Sequence, residues 1–138
     1  MIEEHTVPVH VNAKDEANSE LVARYLQVWT PTVHLLLHDG RSAHEHIGYL
    51  PPEAFAAELE LGLAKADLKR REFSAAADRF ERIRDQRPMS HVAAEAAYWA
   101  AVGRYNESGQ SEGLMAGWQK LRDRYPQSIW RWKQSFYE

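Results

Sequence analysis

Histidines carry the densest potential for chemistry in this chain. Seven occur among 138 residues, and His44-Glu45-His46 sets two imidazoles two positions apart. On a strand that spacing puts both on one face about 6.8 Å apart, which is raw material for a nitrogen-ligated metal site. His34 and His38 fall on the neighbouring strand, but four positions of strand span about 13 Å, so these two cannot share one ion as they would on a helix. His44 and His46 are therefore weak candidates for metal ligation, and a polar sheet face is the expected role of all four side chains.

Other chemistry is poorly served. The chain has no cysteine, which removes disulfides, thiolate nucleophiles and thiolate metal ligands together. No Gly-rich phosphate loop, recognisable Ser-His-Asp arrangement or paired-carboxylate motif stands out. The expectation is a protein that is not an enzyme by itself and needs no cofactor.

Charge excludes further classes. The net charge is −3, and the basic run from Lys65 to Arg87 is interleaved with Asp67, Glu72, Asp78, Glu81 and Asp85, which makes a solvated helical face rather than a nucleic-acid footprint. No window of about 20 apolar residues exists to cross a membrane. The opening Met1-Ile2-Glu3-Glu4-His5 lacks the basic and apolar regions of a signal peptide, so the expected location is cytoplasmic. At 44% hydrophobic with five Trp, the chain has enough apolar surface to fold throughout.

Several elements must position these residues. Thr6–Ala13 alternates β-branched with small or polar residues and predicts a strand, with Pro8 near its start. Ser19–Gln27 carries Leu21, Val22, Tyr25 and Leu26 at helical spacing behind a serine cap, and Thr30-Pro31 stops it. Val33–Leu37, the turn signal Asp39-Gly40 and Ser42–Tyr49 predict a β-hairpin. Pro51-Pro52-Glu53 opens a helix to about Arg70, with Phe55, Leu59, Leu63 and Ala66 as its inner stripe. Helices follow at Ser74–Gln86, Ser90 or His91 to Asn106, Ser111–Arg124 and Ser128–Tyr137.

The order strand, helix, Thr30-Pro31-Thr32, hairpin, Ile47-Gly48-Tyr49-Leu50, helix resembles the C-terminal part of the thioredoxin family over Thr6 to about Gly62. The resemblance implies a cis Thr30-Pro31 bond, a form found in about 5–6% of such bonds in folded proteins. It also makes Trp29, Thr30 and Pro31 candidates for contacting an extended peptide. The family's opening strands and Cys-x-x-Cys helix have no counterpart in these residues, and without an attacking thiolate this chain alone cannot exchange disulfides. The missing strand between Thr6–Ala13 and the hairpin leaves open edges. Direct pairing of Thr6–Ala13 with Val33–Leu37, a second copy or another partner could fill the gap, and a second copy is the expectation.

Further on, Ala76, Phe80, Ile83 and Pro88 recur at the same intervals as Leu114, Trp118, Leu121 and Pro126. This pattern resembles the second helix of a tetratricopeptide repeat, although Glu60 and Asp67 stand where that family favours large aromatics. The expected fold class is therefore α+β: a truncated thioredoxin-like β-α-β-β-α unit at 1–62, continuing into tetratricopeptide-like helical hairpins at 63–138, with the long helix shared. The expected function is non-catalytic protein–protein interaction or assembly, as a homodimer or higher oligomer or with a protein or peptide partner, without nucleic acid or membrane. Val7, Val9, Val11, Trp130, Trp132 and Phe136 are the candidate oligomer contacts. The other reading is the C-terminal portion of a thiol-disulfide oxidoreductase whose cysteine-bearing segment lies outside this chain.

Overall fold

The computed structural model describes residues 2–134, and the candidate contact Phe136 lies outside them. The described residues form an α+β chain in which a two-stranded antiparallel sheet precedes a series of helices. One turn of helix, α1 (Ile2–His5), leads into residues 6–12, which have no regular structure. The strand expected at Thr6–Ala13 is therefore not formed, nor is its pairing with Val33–Leu37. Alternating valines favour an extended chain, but a strand exists only where a neighbour takes up its hydrogen bonds, and none is adjacent.

A 3₁₀ turn (Glu16–Asn18), capped by Asp15 through the Ala17 N–H at 3.0 Å, precedes α2 (Ser19–Arg24). Serine 19 is the first helical residue rather than the cap, and the helix ends three residues before Gln27. It closes in a Schellman arrangement: Gln27 N–H reaches Val22 O and Leu26 N–H reaches Ala23 O, both at 3.2 Å. The left-handed position that glycine normally fills there is occupied by Leu26, with φ 49°.

Thr30-Pro31 is cis, and β1 (Thr32–Leu36) follows, paired with β2 (Ser42–Ile47) as expected for a hairpin. Gly40, with φ 82°, provides the positive dihedral its turn needs. The register changes between Leu35 and Leu36, which leaves Ala43 as the extra residue of a β-bulge. The bulge brings Ala43 against α3 (Pro52–Lys69), where Leu37, Ala43 and Ala66 form a small core with Leu35. At this crossing Gly62 admits the hairpin, since a Cβ on it would lie 3.2 Å from the His44 Cβ.

Helix α3 is not a single-stripe helix. Phe55, Leu59 and Gly62 face the hairpin, while Ala57, Leu61 and Ala64 enter the main core with Ala76, Phe80 and Ile83 of α4 (Phe73–Gln86). The division at 62/63 thus falls inside one helix that packs on both halves. Helix α5 (Ala93–Ser108) is apolar nearly all round, with six alanines and Gly103 buried, because α4 covers one side and α6 (Ser111–Arg124) the other.

The sequence repeat has a structural counterpart in how α4 and α6 end. Arg87 N–H bonds to Ile83 O at 2.9 Å and Tyr125 N–H to Leu121 O at 2.8 Å; Ser90 and Ser128 then turn back on Arg87 and Tyr125 at 3.0 Å. The Tyr125 hydroxyl donates to Pro88 O, which ties the two ends together. The terminal helix, α7 (Ile129–Trp132), is shorter than expected within the described residues.

Small residues set the closest approach of α5 and α6. A Cβ on Gly117 would stand 2.8 Å from the Ala101 Cβ, a rigid atom with no rotamer to move. Gly117→Ala is expected to lower stability by about 1–2 kcal/mol through overpacking, even though alanine raises helix propensity by about 1 kcal/mol. Urea unfolding of G117A checks this, together with G117A/A101G, which restores the space and should recover the loss. Equal or greater stability of the single variant contradicts the packing argument.

Candidate functional site

Polar and apolar sites lie on different parts of the hairpin. The polar one begins at His44, which strand alternation from His46 places on the α3 side. Its Nε2 lies 2.5 Å from Glu58 Oε2, and the other Glu58 oxygen lies 2.8 Å from His91 Nε2 in the segment before α5. Lys65 Nζ approaches His44 Nδ1 at 3.4 Å and pairs with Glu95, whose carboxylate also accepts from Trp99 Nε1 at 3.2 Å. A polar seam therefore runs from β2 across α3 to α5.

Glu58 is the pivot of that seam. Burial pushes its carboxyl up, but the hydrogen bonds and charges of His44 and His91 outweigh burial and hold it at about 2. The space beside it, lined by Val33, Leu35, His44, Phe55, Glu58 and Gly62, is about 10 Å³, which admits at most one water. The seam positions the hairpin on the helices and has no room for a substrate.

Metal candidates are placed apart. His44 and His46 share the α3 side of the sheet. His34 pairs in register with Glu45 on the opposite side, its Nδ1 3.4 Å from the Glu45 carboxylate and its ring 5.2 Å from Tyr25. Among the described residues no group of three or more His, Asp or Glu side chains could hold an ion.

The apolar site occupies the N-terminal part. Val7 (88%), Val9 (77%), Leu26 (80%) and Val28 (76%) are exposed, as are Trp29, Tyr49, Ile47 and, less fully, Val11 and Leu21. An open depression of about 650 Å³, lined by Ala13, Lys14, Ser19, Val22, Leu26 and Val28, lies in it. Scattered apolar residues on a surface are ordinary, but Leu26 and Val28 lie together with Ala13, Val22 and Ala23 in the lining of the depression, and such a contiguous group marks a docking surface.

The peptide-contact candidates Trp29, Thr30 and Pro31 are exposed together here. Gln27 Nε2 and Thr32 Oγ1 both donate to Trp29 O, at 3.0 and 2.7 Å, which fixes the backbone ahead of the proline. The C-terminal candidates divide. Trp132 is exposed, whereas the Trp130 ring packs within the chain on Tyr98 and Trp99, with Lys133 Nζ 3.7 Å from its centre.

Fold and site together define a small α+β protein in which a part-buried polar seam joins β2 to the helices and several apolar residues of the N-terminal part and the hairpin are exposed. No protein-family model, curated protein or solved structure matches the chain. No helix among the described residues is long and apolar enough to cross a membrane.

The sequence reading passed over Glu58, His91, Lys65 and Glu95. Glu58 lies 14 positions from His44 and 33 from His91, so no local pattern joins them. The one available signal is a carboxylate at 58 among the inward positions 55, 59 and 62 of the helix.

Proposed function

We propose that the chain is a non-catalytic interaction or assembly protein, a shortened thioredoxin-like unit continuing into tetratricopeptide-like hairpins, whose partners are proteins or peptides. The observation that carries the function is Leu26. It is 80% exposed and its backbone is held at φ 49°, in the lining of the open depression formed with Ala13, Val22 and Val28. For a residue other than glycine that conformation costs about 1–2 kcal/mol, and so exposed a side chain recovers little of it by burial. A residue that destabilises its own fold in the lining of an open, mainly apolar depression fits a role in binding.

Leu26→Gly separates the two roles because it acts with opposite signs. Unfolding by urea is expected to show a stabilisation of about 1 kcal/mol, while association, measured as self-association by light scattering and as capture of proteins from extract of the source cell, weakens. A wild-type chain that associates with nothing, or an L26G chain that associates as well as wild type, sinks the proposed function.

A further inference from the structure

The same molecule carries an unpaired extended segment and an unpaired sheet edge. Among the described residues, the main chain of residues 7–11 makes no hydrogen bond. On β1, Gly48 N–H donates to Pro31 O, so the alternation of the ladder turns Val33 and Leu35 toward β2 and directs the N–H and C=O groups of Thr32, His34 and Leu36 to the open side. The second edge of a two-stranded sheet is a ready template for a further strand.

Building on the interaction function proposed above, we propose that a second copy of this chain covers this edge by reciprocal strand addition. Val7, Val9 and Val11 of each protomer pair antiparallel with Leu36, His34 and Thr32 of the other.

Three features fit this occupant. Pro8 has no N–H, and when the odd-numbered residues 7, 9 and 11 pair with β1, residue 8 faces the new outer edge, where proline is tolerated. Opposed residues share a face, so the three valines fall on the side of β1 that carries His34 and Tyr25, away from α3. Charge also matches. This register carries Glu3 and Glu4 of α1 to the hairpin-turn end, where Arg24 and Arg41 outnumber Asp39. A foreign strand could meet the edge, but donor segment and acceptor edge here belong to one sequence, and a two-fold axis satisfies both at once.

The test uses the full chain and two proline substitutions. Val9→Pro removes the central N–H of the paired side, whereas His10→Pro removes one on the outer edge. Sedimentation across a concentration series is expected to show a mass approaching twice 15.9 kDa for wild type and H10P, and a dimer dissociation constant raised at least tenfold in V9P. A monomer at every concentration, a dimer indifferent to V9P, or equal weakening by both prolines overturns the proposal. A monomer whose Leu26→Gly variant still loses captured proteins overturns the second copy alone. A monomer without such Leu26-dependent capture overturns the interaction function as well.

Discussion

Asp67→Ala is expected to lower the unfolding free energy by about 3 kcal/mol. Asp67 lies in the last turn of α3 with its side chain 6% exposed, and its carboxylate accepts from Arg70 Nη2 and, at 2.7 Å, from Arg79 Nε of α4. The turn between the helices closes through the main chain, with Glu72 N–H on Asp67 O at 2.9 Å and Arg71 in the left-handed position at φ 65°, and alanine at 67 keeps that bond, so the loss reads the carboxylate. Removing one partner of a buried pair costs about 3–5 kcal/mol. The lower figure applies because both arginines reach solvent in part and can turn toward it.

A double-mutant cycle separates charge from packing. Asp67→Leu with Arg79→Met replaces the pair by apolar groups of similar size and is expected to recover most of the loss, since such replacements are often neutral. Urea unfolding measures D67A, D67L, R79M and the double variant D67L/R79M. A D67A chain within about 1 kcal/mol of wild type, or a cycle without coupling between 67 and 79, contradicts the pair's role.

Asp67 also shows what the sequence could and could not convey. Its position conflicts with the aromatic preference of a tetratricopeptide-like pattern, and Glu60 conflicts in the same way. The structure supplies the compensation: Glu60 is held by Arg87 through two bonds of 3.0 and 3.1 Å. Arginines twelve and 27 positions away are invisible to local periodicity. By contrast, the hairpin was legible because Asp39-Gly40 dictates a turn, and the end of α6 because Pro126 is a local signal, whereas its cap position is Gln110, with no side-chain bond, and Ser111 is its first helical residue. The strand at Thr6–Ala13 was misread for a physical reason: its alternation is intrinsic to the chain, whereas its pairing depends on a neighbour. Leu26 left no signal at all, because the left-handed position after a helix normally announces itself by glycine.

The polar seam yields a pH-dependent expectation. Glu58 titrates near 2 in the fold against an ordinary 4.5, so between these values the unfolded chain binds more protons than the folded one, and stability falls as pH falls through that window. Above about pH 4.5 the contribution is fully present. The difference, 4.5 − 2, or about 2.5, sets an upper bound near 3.4 kcal/mol at 1.36 kcal/mol for each pH unit. Because the His91 side chain is 44% exposed, solvent screens its share and about 2 kcal/mol is the expected size. Glu58→Gln removes the charge and presents an amide donor to one of the two imidazoles that now donate to the carboxylate. E58Q is therefore expected to unfold about 2 kcal/mol more easily at pH 7, and to lose less stability than wild type between pH 4.5 and 2. Hydrogen exchange at neutral pH should show the change first in β2, which the seam joins to α3 through His44. Parallel acid limbs for the two proteins would mean that Glu58 contributes packing rather than charge, and the hairpin would then be held to the helices by the apolar contacts of Leu35, Leu37, Ala43, Phe55 and Ala66 and by the 2.7 Å bond from Lys69 Nζ to Ser42 O.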